Sequence, residues 1–135
     1  MSNKLFDKSS SLKAFNNLFF LFVDKLISLF PEQDELTQAK QAFLAIKAMN
    51  VSLIVKIWYQ YVYLPYSEYI ISGDLSFFLE KDYQEDLNAL PNANEIMKFI
   101  NTFRHHIRDM DPINKQASIE FLKNLTILSE CYNRG

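Results

Sequence analysis

Between Val51 and Gly73 the chain reads VSLIVKIWYQYVYLPYSEYIISG, with one Trp, five Tyr and many β-branched residues. Propensity alone would make such a stretch a strand. Its polar residues argue otherwise. Ser52, Lys56 and Gln60 are four apart, and Tyr63 and Ser67 continue the row at steps of three and four. A strand would place its polar groups two apart, whereas steps of three and four follow a helix. The segment is therefore expected to be a helix with one narrow wet stripe and apolar groups on most other sides. A helix of that kind belongs in the middle of a core. Pro65 has no N–H, and its ring would meet the Tyr61 carbonyl if the helix ran through it. A kink or a fresh start is expected there, then a short helix over Tyr66 to Ile71. Gly73 would close it in the left-handed conformation.

The rest of the chain points the same way. Only two Gly and four Pro occur in 135 residues, too few for the tight turns of an antiparallel sheet. The length suits one domain with a real core. The expected fold is all-α, a compact bundle of about five to seven helices with a broken central aromatic helix. Residues 1–8 would be a flexible lead, 9–132 the single domain, and 133–135 a frayed end. Ser9, Ser10 and Ser11 offer caps for a first helix whose buried face is Phe15, Leu18, Phe19, Phe22, Leu26 and Phe30, stopped by Pro31. A second helix is expected from about Glu32–Asp34 to Met49, with Asn50 too weak a stop to exclude near-continuity with the third. Asp74 would cap a short helix bearing Leu75, Phe77, Phe78 and Leu79. Another helix follows Pro91–Asn94, with Ile96, Phe99, Ile100, Phe103, Ile107 and Met110 inward. Asp111-Pro112 is a stop and restart signal for a last helix reaching about Cys131.

Charge limits the functional classes. Net charge is −2. Residues 1–30 carry four Lys against two Asp, residues 31–90 four Lys against nine acids, and residues 91–135 six Lys or Arg against five acids. No region has the positive density on which non-specific nucleic-acid binding rests. Cys131 is the sole cysteine, so no internal disulfide forms, and a reducing intracellular compartment is the simpler expectation. The N-terminus does not read as a signal peptide, and no apolar run is long enough for a transmembrane segment.

The search for chemistry is short. His105 and His106 are neighbours, and neighbouring helical side chains diverge by about 100°, so they do not readily share a metal. Either could bridge to Asp109. The zinc spacings of Cys and His are absent. The acidic run Asp74–Asp86 has Leu79 where a calcium loop needs Gly. Cys131 and Ser129 have no local base and orienting group. With Gly73 and Gly135 as the only glycines, no phosphate-cradling loop exists. No catalytic residue, metal ligand or cofactor is expected.

Two surfaces remain. Phe15, Phe19, Phe22, Trp58, Tyr59, Tyr61, Tyr63, Tyr66 and Tyr69 form a candidate protein interface, because Tyr and Trp bury rigid area while keeping a polar handle. Lys98, Arg104, Arg108 and Lys115 form a candidate patch for phosphate or an acidic partner, diluted by Glu95, Asp109 and Asp111.

The run IVKIWYQYVYLPYSEYIISGDLSFFLEKDY and the final FLKNLTILSECY resemble small uncharacterised helical proteins of large DNA viruses of algae and protists. The matching elements are Trp58, Pro65-Tyr66, Gly73-Asp74, Phe77-Phe78, Asp82-Tyr83 and Leu125 to Tyr132. The resemblance implies a viral protein, of the virion or of the cytoplasm or nucleus of a host cell, and carries over no catalytic residue. The reading that follows is a non-enzymatic protein-interaction or scaffolding protein, self-associating or bound to a protein partner. The alternatives are a nucleic-acid-associated regulatory binding protein and an enzyme with an unrecognised His/carboxylate site.

Overall fold

The computed structural model describes residues 7–73, 102 and 104–134. Among these, every regular element is helical, and the elements pack as one all-α bundle. Four long helices carry it: α1 (Lys8–Leu29), α2 (Asp34–Met49), α3 (Leu53–Ser72) and α4 (Pro112–Arg134). A short helical stretch, 104–108, precedes α4. The expected helices over 74–100, with Leu75, Phe77, Phe78, Leu79, Ile96, Phe99 and Ile100, and likewise Phe103 and Lys98, lie outside the described residues.

The helix ends show local chemistry at work. Asp7, rather than one of the serines, caps α1, its carboxylate accepting the Ser10 N–H at 2.7 Å. The serines sit two to four positions after Asp7 and enter the first turn. α1 ends at Leu29, two residues before Pro31 and its missing donor, and Phe30 N–H still bonds the Leu26 carbonyl. Asp34 and Glu35 complement the positive end of α2. Asp111 and Pro112 start α4 as expected: the Asp111 carboxylate accepts the Asn114 N–H at 2.8 Å, and Pro112 loses a donor that the first turn would leave unused. α4 continues past Cys131 to Arg134, whose guanidinium pairs with Glu130 at 3.1 Å.

Two breaks shape the middle of the chain. α2 ends at Met49 and meets α3 at 110°, a sharper turn at Asn50 than near-continuity would give. Asn50 takes an extended conformation and its side-chain oxygen accepts both the Ser52 N–H and hydroxyl. Asn16 of α1 then donates to the Val51 carbonyl at 2.9 Å, tying the corner to the bundle. Further on, the segment breaks near Pro65, as expected. The α-helix gives way to a π turn over Tyr59–Tyr63, with Leu64 N–H bonding back five residues to the Tyr59 carbonyl, and a fresh α-helical stretch starts at Leu64 with Pro65 in its first turn. A π turn is wider than an α turn and holds one extra residue, which gives the pyrrolidine ring room. Gly73 does close α3, at φ 87°, with its N–H on the Ile70 carbonyl.

Three helices meet around Trp58. α1 and α4 run antiparallel, since Lys8 lies over Tyr132 at one end and Phe22 against Phe121 at the other. α3 runs alongside α4. Trp58 is fully buried, its edge against Phe15 and Phe19, while Phe43 of α2 packs edge-on to Phe19. Burying one such side chain contributes roughly 1.5–3 kcal/mol relative to leaving it in water. The Trp58 indole N–H donates to the Thr126 hydroxyl at 3.2 Å, so the one polar atom of the ring is also served.

Candidate functional site

The candidate interface residues divide sharply. Phe15, Phe19, Phe22 and Trp58 are fully buried, so they are core and not a contact surface. Tyr61 and Tyr66 are buried as well, Tyr61 at 8% and Tyr66 at 3% exposed. The broad apolar face of α1 is consumed by α3, α4 and α2 rather than left for a partner. Tyr59 and Tyr63 are half-buried, and Tyr69 is exposed. The wet stripe survives: Lys56 and Gln60 are exposed, and Ser52, Tyr63 and Ser67 are half-buried.

Those partly exposed tyrosines form an ordered pair. Tyr59 and Tyr63 open and close the π turn, and their rings stack at 4.9 Å with planes 11° apart. The Tyr63 phenol faces the Glu130 carboxylate on α4. Burial, then the Glu130 carboxylate as acceptor and negative charge, hold the phenol above its ordinary value of 10.0, against a smaller opposing pull from Arg134. Glu130 is in turn paired with Arg134. The result is a stacked two-ring surface with an acid and a base from the last turns of α4 beside its polar edge. Leu64, the next residue along, is 55% exposed.

The described basic candidates lie in different settings. Arg104 is only 5% exposed, which withdraws its head from a ligand in solution. Arg108 is exposed and Lys115 half-buried. Lys98 lies outside the described residues. The two histidines separate as their spacing implies. His105 is exposed. His106 is half-buried, its Nδ1 2.9 Å from the Thr102 carbonyl and its ring edge-on to Phe30 at 4.4 Å. Its hydrogen-bonding nitrogen is thus engaged by the backbone rather than by Asp109. Among the described residues, no three His, Cys, Asp or Glu side chains converge as a metal site.

Sequence reasoning missed the role of Glu130 and Arg134. They are neighbours of Tyr63 only because α3 and α4 run side by side, and no local spacing records that. The chain matches no family model, and no curated protein or solved structure matches it.

Proposed function

We propose that this chain is a non-enzymatic helical module that works by protein contact, through the Tyr59–Tyr63 pair and Leu64 on α3. The observation that carries this is the stacked, half-exposed ring pair. Aromatic anchors dominate binding energy at protein interfaces, and a side chain already held in place loses little entropy on binding. Here the two rings order one another in the free chain by stacking, beside the Glu130 carboxylate of α4. The resemblance to helical proteins of large DNA viruses is in keeping with a structural role in a host cell or virion.

The form of contact to test is self-association. In sedimentation velocity across the micromolar range, the wild-type chain should gain mass reversibly with concentration. Y59S/Y63S should shift that transition to higher concentration while keeping the helical circular dichroism signal. A strict monomer, with Tyr59 and Tyr63 as open to radical footprinting in source-cell extract as in dilute buffer, would overturn the proposal.

A further inference from the structure

The last two turns of α2 break the pattern expected of a surface helix, which turns polar side chains outward. Leu44, Ala45, Ala48 and Met49 are all exposed, Met49 at 82%. Val51 extends the patch into the bend at 50% exposed. No polar residue shares this outward face over the last two turns. The patch lies at the bend where α2 and α3 meet at 110°.

The corner's own segment carries charge of one sign. From Leu36 to Ser67 the chain holds three lysines and no acid. Lys40 is matched by Asp24 of α1 at 2.7 Å. Lys47 rests its ammonium over the Phe20 ring at 5.5 Å, and Lys56 is exposed. From α1, Asn16 holds the Val51 carbonyl, and exposed Lys13 lies one turn before it. Glu120 of α4 is already paired with Lys123. Among the described residues, no ion pair engages Lys13, Lys47 or Lys56.

We propose that the α2–α3 corner docks peripherally on an anionic lipid surface. Met49 and Val51 enter the headgroup layer, and Lys13, Lys47 and Lys56 lie over acidic headgroups. Attachment is shallow: no single described helix is long and apolar enough to cross a membrane. Met49 and Val51 are distinct from the Tyr59–Tyr63 pair, and Lys56 lies between them, one turn before Tyr59.

The test is co-sedimentation of the full chain with phosphatidylcholine vesicles, with and without phosphatidylserine. Binding should need phosphatidylserine and weaken with salt. Each lysine near the surface is worth about five-fold in partitioning, so K47Q/K56Q should lose more than ten-fold. M49S/V51S should also release the chain, and Y59S/Y63S should not. All four corner positions lie outside the core, so far-ultraviolet circular dichroism and Trp58 emission should be unchanged and report an intact fold. Absence of binding to phosphatidylserine vesicles, equal binding to neutral ones, or indifference to the corner variants would overturn the proposal. An oligomer that M49S/V51S disperses, without vesicle binding, would equally overturn it by assigning the corner to a second copy.

Discussion

The Trp58–Thr126 hydrogen bond joins residues 68 apart in sequence and is wholly buried. Replacing Thr126 with Val keeps the shape but removes the acceptor. The indole N–H is then left in an apolar pocket among Phe15 and Phe19, at a cost of about 1–3 kcal/mol. Replacing Trp58 with Phe removes the donor and roughly 40 Å³ of side chain. Lost transfer energy and the residual cavity, at about 24 cal/mol per Å³, together cost about 2 kcal/mol. The Thr126 hydroxyl left behind can turn to its own helix backbone, so it adds little. In the double variant no stranded donor remains, and the loss should fall short of the sum by about 1 kcal/mol. Urea denaturation followed by far-ultraviolet circular dichroism measures all three, and a chain of this size is expected to unfold in one step. The Thr126→Val melting point should drop by about 4 °C for each kcal/mol lost. Because Trp58 is the sole Trp, its emission reports the same pocket in that variant. A neutral Thr126→Val variant, or strict additivity, would refute the claim that this bond contributes to stability.

Three other perturbations test separate parts of the architecture. Gly73→Ala should cost about 1 kcal/mol in a chemical melt, although an added Cβ meets nothing within 4 Å, because φ 87° is strained for any L side chain. Deleting exposed Gln60 should remove the extra residue of the π turn and set Pro65 against a regular α turn, costing about 3 kcal/mol, and Pro65→Ala should rescue that deletion; an equally stable single deletion would show that Pro65 does not require the wide turn. The Asn114 backbone N–H and side-chain amide hold the Asp111 carboxyl below its usual 3.8. Its folded pKa is lowered, so its contribution is present above the unfolded pKa and is lost as pH falls through the folded one. Carboxyl-detected NMR should show Asp111 titrating below its usual 3.8, and Asn114→Ala, which removes the side-chain amide and keeps the backbone N–H, should move it part of the way back up.

The separation between legible and illegible features follows the range of the forces. Asp111-Pro112, Pro31 and Gly73 act within a turn of themselves, and each does in the structure what its chemistry implies. The stripe Ser52–Ser67 identified α3 as a buried helix despite its β-branched content, because periodicity is a property of neighbours in sequence. The serine cap was misplaced by a few residues, since several adjacent groups can accept the same N–H and the geometry selects Asp7. Of the tyrosine-rich surface, the sequence shows composition but not exposure. Tyr61 and Tyr66 point into the core, whereas Tyr59 and Tyr63 stay at its edge, and the π turn controls that phase.

By itself, then, the sequence determined that this chain is helical, where most of its described helices begin and end, and that α3 is central. These follow from backbone sterics, hydrogen-bond donors and periodic hydrophobicity, all local. Only the tertiary structure decided that α2 and α3 meet at 110°, that the break near Pro65 takes the form of a π turn, and that Trp58 finds Thr126. It also decided which aromatics remain at the surface. Each depends on contacts between residues distant in the chain, where packing against α1 and α4 outweighs the propensity of any single segment.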